Sequence, residues 1–296
     1  MPISTLIPVS CPVCSKVMIQ KIEPWLRYCP SCGLWTSLLT QANYKLNSDT
    51  LLVEEKRYTA LKPLREYNYE QLLNALCRFM PLEGAKILDV GCAYGWFLQA
   101  ASARGMLPVG IEPEEEIAAE GLERGFDIRV GYFPECCKAY ECFDAIVFND
   151  VLEHLPNIDR VFEQCHALLL PGGKLVVNLP NSKGFFFHLA CLLAQLGYKK
   201  PLHRLWQKDY RSPHLIYFNS DNLKTYASKY GFKLFHSQSL ETVRLQGLWS
   251  RLLMDRTASF MPAAIIYGVL LVAYPLLTWL APPDILLHIY QRQEIV

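Results

Sequence analysis

The chain has 296 residues, 51% of them hydrophobic and 19% charged, with a formal net charge of +1. That length and apolar content can bury the core of one large domain with an accessory module, and the near-zero charge argues against the broad basic footprint of a nucleic-acid enzyme. The first ten residues lack a basic start followed by a long apolar run, so no secretory signal is expected and a reducing, cytoplasmic setting is inferred.

Eleven cysteines fall into two groups. Cys11, Cys14, Cys29 and Cys32 read C-x2-C-x14-C-x2-C, each pair in a turn-like run, Cys-Pro-Val-Cys and Cys-Pro-Ser-Cys-Gly. Four thiolates at that spacing close a tetrahedral Zn2+ site, which is structural because sulfur takes every position. A disulfide pair is the competing explanation, disfavoured without a secretion signal. Residues 1–40 are therefore expected to form a zinc ribbon. Cys77, Cys92, Cys136, Cys137, Cys142, Cys165 and Cys191 have no metal spacing and read mostly as small buried residues. Trp25, Tyr28 and Trp35 are expected to pack around the metal-centred core, with stacking on a base or sugar as the alternative. A polar connector from Thr36 to Leu52 and a helix from about Leu64 to Phe79 follow, so that residues 41–80 link the ribbon to a main domain over 81–296.

That domain opens with Lys86-Ile87-Leu88-Asp89-Val90, a short apolar strand ending in an acid, then Gly91-Cys92-Ala93-Tyr94-Gly95 and a helix from Trp96 to Arg104. Glycines at 91 and 95 permit a tight turn and close backbone approach to a ligand at a helix N-terminus. A dinucleotide site would also want glycines at 93 and 96, where Ala93 and the bulky Trp96 stand. A second strand, Pro108 to Ile111, ends at Glu112, 23 positions beyond Asp89. An acid there can accept both ribose hydroxyl bonds, or it can cap the helix beginning near Pro113. Strands from Phe143 to Asn149 and Pro171 to Asn181, then from Gly231 to His236 and Ile285 to Tyr290, complete an alternation that demands a mostly parallel sheet.

Taken together, the acid-then-glycine loop, Glu112, the Glu153-His154-Leu155 run after the fourth strand, Pro171-Gly172-Gly173 and the Pro213-His214-Leu215-x-x-Phe218 segment resemble class I S-adenosylmethionine-dependent methyltransferases. The likeness covers roughly Leu72 to Tyr290 and is nearest to the bacterial "EHL" type, in which similar ribbons often precede the enzyme. Ala93 replaces the middle glycine of that family's loop. The resemblance implies a Rossmann-like, doubly wound, seven-stranded α/β sheet binding S-adenosylmethionine. It implies that Asp89, Gly91, Cys92, Ala93, Gly95, Glu112, Tyr132, Asn149 and Val151 form the cofactor site, with Tyr132 and Phe133 placed where adenine commonly rests. Methyl transfer needs mainly positioning and exclusion of water, and a hydroxyl acceptor adds the need for a base. His154 and His214 are the candidates for it, each with an orienting role as the alternative, while Glu153 either holds a neighbour or faces solvent.

Two apolar inserts bear on the acceptor. Within 184–211, the run from Gly184 to Gly197 is followed by Lys199, Lys200, His203, Arg204, Lys208 and Arg211. It suits an interface or an amphiphile's tail, or else a buried lid helix. Within 257–283, Phe260 to Ala281 gives 22 mostly apolar positions, enough to span a bilayer. Because the strands on either side must join one sheet, a single crossing conflicts with the fold, and Pro262 and Pro275 point to a broken, shallow or re-entrant element. A monotopic enzyme at the inner membrane face is expected, acting on the oxygen of a small-molecule, glycan or lipid-linked acceptor. A dimer-forming hydrophobic surface is the other reading of the insert, and an RNA or protein substrate guided by the ribbon is the other reading of the function.

Overall fold

A computed structural model describes residues 9–40, 54–208, 210–254 and 259–294. At its centre lies a seven-stranded sheet whose strands, in chain order, are β4 (Lys86–Val90), β5 (Leu107–Glu112), β6 (Asp127–Val130), β7 (Phe143–Asn149), β8 (Leu169–Pro180), β10 (Phe232–Leu240) and β11 (Ile285–Arg292). Their spatial order is β10-β11-β8-β7-β4-β5-β6. Strands β4 to β8 pair in parallel, and β11 inserts antiparallel between β8 and β10. This is the expected Rossmann-like fold.

The sequence builds the sheet by simple means. Parallel central strands are covered on both faces, so they read as continuous apolar runs, and the middle of β8 is buried from Gly173's neighbour Lys174 through Leu179. Alternate residues then serve opposite layers. Ile87, Ala145, Val147 and Val176 pack beneath helices α1 (Glu54–Leu76) and α2 (Trp96–Ser102). Leu88, Val90, Ile146 and Phe148 pack with α4 (Ile158–Leu168) and α7 (Ser220–Ser228). From the β4/β7 pair, chain order runs outward through β5 and β6 on one side and to β8 on the other. The loops leaving these two strands therefore diverge and open a crevice at the sheet's carboxyl edge, the usual ligand position in such folds.

The amino-terminal strands β1 (Ile19–Lys21), β2 (Glu23–Tyr28) and β3 (Trp35–Ser37) form a separate small sheet. Its fourth strand is β9 (Ile216–Tyr217), which belongs by sequence to the main domain. Thr36, expected in the connector, is thus in a strand, held by that pairing. Residues 41–53 of the expected connector lie outside the described residues. The helix expected from Leu64 starts at Glu54 and runs through Pro63.

The apolar inserts become helices α5 (Phe185–Gln195), α6 (Lys200–Leu205) and α9 (Phe260–Leu280), with α3 (Glu115–Glu123) and α8 (Leu248–Leu252) completing the set. Strand pairing from Phe232↔Arg292 to Leu240↔Ile285 brings both ends of the 241–284 segment back to one sheet edge, as the sequence demanded. The expected break in the segment is absent: α9 is one helix of 21 residues, with Pro275 inside it. Pro262 stands in its first turn, where a missing N–H costs nothing, and Pro275 forfeits one bond among many. Its amino end packs on Trp249 of α8 through Phe260 and Tyr267.

Candidate functional site

The loop after β4 is shaped for close approach. Gly91 adopts φ +74°, and a Cβ built there would lie 2.5 Å from Cγ2 of Val151 on the loop after β7. Ala93, at the middle position, takes φ +46°. A left-handed conformation costs a residue with a Cβ about 1–2 kcal/mol, a strain that persists only where surrounding structure over-determines it. What holds it here is Glu112, buried at the end of β5. Its Oε2 accepts the Ala93 N–H at 3.0 Å and its Oε1 accepts the Glu114 N–H at 3.0 Å. The carboxylate therefore clamps both loops, including the residue before α3, and lines the cleft.

Asp89 sits beside it, 1% exposed, with Oδ1 accepting Asn149 Nδ2 at 3.1 Å. Burial pushes its carboxyl up to about 8 against the Asn149 hydrogen bond, and the charge of Glu112 adds to the rise. Sequence reasoning missed Arg65. It reaches from α1 into the same cleft, where its guanidinium pairs with Asp150 at 2.7 Å and donates to the Asn149 carbonyl at 3.5 Å. Asp150 itself takes φ +53°. No spacing in the sequence marks an arginine arriving from a preceding helix, so only the fold brings it here. Of the other expected cofactor residues, Tyr132 and Val151 line the cleft, whereas the Cys92 thiol turns into the core against Gly110.

Across the cleft lies the Leu152–His154 turn. Glu153 is 1% exposed, which removes the solvent-facing reading, and burial together with the charge of Asp150 raises its carboxyl well above the usual range. Its Oε2 has no hydrogen-bond partner among the described residues. The two histidines meet there, ring centroids 4.5 Å apart. His154 Nδ1 faces the Pro213 carbonyl at 3.1 Å, and a carbonyl only accepts, so that nitrogen carries the proton. Tyr217 spends its hydroxyl hydrogen on the Leu205 carbonyl at 2.8 Å and so accepts from His214 Nδ1 at 3.0 Å. In the neutral His214 ring, Nε2 is then the basic nitrogen. His214 Nε2 lies 3.0 Å from the Gln207 amide nitrogen and 4.0 Å from Glu153 Oε1. Burial, with His154 adding to it, holds His214 well below the ordinary histidine value, so it is neutral at physiological pH. One ligand atom from each of Glu153, His154 and His214 falls within 4.8 Å of the others, a donor set a divalent cation also takes.

The cleft between these two walls has a volume of about 1370 Å³. A single-ligand pocket is usually about 300–1,000 Å³, so there is room for a cofactor and an acceptor together. Its far side is apolar, formed by Phe186, Ala190 and Leu193 of α5, Leu205 of α6 and Ile266 of α9. The expected basic flank is partly spent within the protein. Lys199 and His203 engage the buried Glu23 at 3.0 and 3.3 Å, and Arg211 pairs with Glu114 at 2.8 Å.

A second site is built by the first four cysteines. Two similar knuckles present them: Ser15 (φ +60°) donates to the Cys11 carbonyl at 2.8 Å, and Gly33 (φ +74°) donates to the Cys29 carbonyl at 2.9 Å. Their sulfurs lie 3.5 Å (Cys11 to Cys32) and 3.4 Å (Cys14 to Cys29) apart, all four within 4.8 Å. A tetrahedral zinc with Zn–S bonds of about 2.3 Å needs sulfur edges of about 3.8 Å, which this cluster fits.

Residues 64–237 match the family described as Methyltransferase domain. Among curated proteins, the chain is 32% identical over 127 residues to a mitochondrial ubiquinone biosynthesis O-methyltransferase of Mus musculus, covering 39% of this chain and 34% of that protein. It is 32% identical over 148 residues to a ubiquinone biosynthesis O-methyltransferase of Xylella fastidiosa, covering 48% and 57%. The chain thus spans between about a third and three fifths of the length of these relatives. In fold it resembles a SAM-dependent methyltransferase from Archaeoglobus fulgidus (TM-score 0.50, 17% identity, 78% and 97% covered) and the cyclopropane synthase MmaA2 from Mycobacterium tuberculosis (TM-score 0.52, 18% identity, 75% and 83% covered).

Proposed function

Since the chain belongs to the methyltransferase domain family and is an S-adenosylmethionine-dependent enzyme, we propose that it methylates an oxygen of an apolar, lipid-linked or glycan-linked acceptor at a membrane face. The observation carrying this reading is the joining, in one cleft, of the Gly91 loop with its Glu112 clamp to a pair of histidines, His154 and His214, whose Nδ1 atoms are held by Pro213 and Tyr217. The O-methyltransferase relatives favour oxygen as the acceptor atom.

Bound S-adenosylmethionine supplies an electrophilic methyl group. The Gly91 to Tyr94 part of the loop would cradle it at the backbone, while Gly95 packs against Gly121 of α3, with Glu112 on the ribose, Tyr132 near the adenine, and Asn149 and Val151 closing the side. Arg65, among the carboxylates of that wall, suits the cofactor's own carboxylate. His154, half-buried and lining the cleft, would take the acceptor's proton at Nε2 while the Pro213 carbonyl keeps its ring in register. His214, neutral and fully engaged, would shape the pocket beside it. The apolar wall from α5 to α9 would seat an acceptor's hydrocarbon part and exclude water. Four cysteines would hold a structural zinc. Trp25 and Trp35 pack inward on Trp206 and Phe187, which disfavours a ribbon that stacks on nucleic acid.

Calorimetry tests the cofactor assignment. S-adenosylmethionine should bind the purified chain, and Glu112→Ala should weaken it at least about tenfold, the loss of a charged acceptor being about 1.5–3 kcal/mol. Unchanged affinity in Glu112→Ala, or tighter binding of NADH, would overturn it.

A further inference from the structure

We infer that the zinc ribbon is a positioning module for the acceptor side of the cleft, gripping the His214 segment through β3 and the start of α7. The inference rests on the reading that His154 and His214 flank the acceptor. The small sheet is completed only by β9, with Trp35 opposite Tyr217 and Thr36 opposite Ile216. Ser37 extends the grip: its N–H donates to the Leu215 carbonyl at 2.9 Å and its hydroxyl to the His214 carbonyl at 2.8 Å. On its other side, the Leu215 N–H donates to the Glu153 carbonyl at 2.7 Å. A continuous hydrogen-bonded path thus runs from the ribbon's last strand, through His214 and Leu215, to the turn bearing Glu153 and His154.

The knuckles make a second, independent contact. The Cys32 carbonyl accepts from Asn219 and Asn222 at 3.4 and 3.3 Å, and Lys229 donates to the Pro12 carbonyl at 2.7 Å. Asn219 is the residue that caps α7, immediately after the β9 segment. Inside, Leu26 and Trp35 of the ribbon share one core with Phe187, Trp206 and Tyr217, so the same module also backs α5 and α6. Two- and three-residue strands cannot hold such a register alone. A metal that folds the knuckles would supply the rigidity, because in units this small metal binding and folding are coupled. The knuckles' Cys11, Cys29 and Leu34 also belong to the large core that contains Leu88 and Val90 of β4, but the hydrogen-bonded path through Ser37 does not reach the Gly91 loop or Glu112.

The full-length protein allows a direct test with two variants. Ser37→Ala should keep one zinc per chain and S-adenosylmethionine affinity within about twofold, while the ring-nitrogen resonances of His214 shift and the Leu215 amide exchanges at least about tenfold faster. Cys29→Ser should lose the zinc and deprotect amides from Leu215 to Tyr217 by about a hundredfold, with β4 and β5 amides affected at least about tenfold less. His214 resonances and Leu215 exchange identical to wild type in both variants would overturn the inference. So would deprotection spreading equally to β4 and β5, which would make the ribbon a general stabiliser. Failure of the wild-type chain to bind S-adenosylmethionine would strike the functional reading and leave these measurements intact.

Discussion

Ala93, Glu112 and Arg65 show how far single residues were readable. The glycine pattern placed the loop and the spacing placed Glu112, but whether that acid binds sugar or caps a helix turned on which N–H groups reach it, and it takes one from each loop. His288 carries a separate consequence. It is fully buried in β11 between Ser220 and Tyr290, and burial pushes it down to about 4. The unfolded chain protonates this ring near 6.5 and the folded chain does not, so its contribution is complete above 6.5 and is lost as pH falls toward 4. At about 1.4 kcal/mol per unit, the loss reaches about 3 kcal/mol. Asp89, raised to about 8, works in the opposite direction over 8 down to 3.8, so the effect must be isolated by difference. Urea unfolding at pH 7 and 4.5 should therefore show that lowering the pH changes stability less favourably in wild type than in His288→Asn, by roughly 3 kcal/mol; an identical pH dependence in both would contradict the burial account.

Among elements, strands β4, β5, β7, β8 and β11 were legible because apolar runs bounded by glycine and proline have few other solutions, whereas the short, charged β6 was not. Helix α9 was legible as apolar but not as continuous, since two prolines weigh more in a sequence than in a helix that can absorb them at its first turn and late in its length. It leaves a broad apolar face uncovered, including Ile265, Val269, Val272 and Trp279. Burying about ten such side chains at roughly 1.5 kcal/mol each would outweigh any screened surface charge, more so because Lys199 and Arg211 are already paired. We therefore expect vesicle association that resists high salt and yields to detergent, with a tag after Val296 digested together with the catalytic domain in inside-out vesicles. A salt-released protein, or a dimer in solution that ignores vesicles, would contradict that expectation.

For the molecule as a whole, what the sequence could not reveal is how its parts meet. The cysteine cluster and the methyltransferase sheet were readable separately, yet the β3–β9 pairing joins residues about 180 positions apart through two backbone partners, far below any periodicity signal. The histidine pair likewise comes from two loops that meet only in the folded chain. The central claim is that one cleft holds both S-adenosylmethionine and an apolar hydroxyl acceptor beside His154. Its most direct test is transfer of a deuterated methyl group from the cofactor into fractionated extracts from cells lacking this protein, followed by mass spectrometry. The account predicts label on oxygen in the lipid-soluble fraction, reduced about 10²–10⁴-fold by His154→Ala with cofactor affinity retained. Label confined to RNA or protein, or no transfer to any fraction by a chain that binds the cofactor, would contradict it.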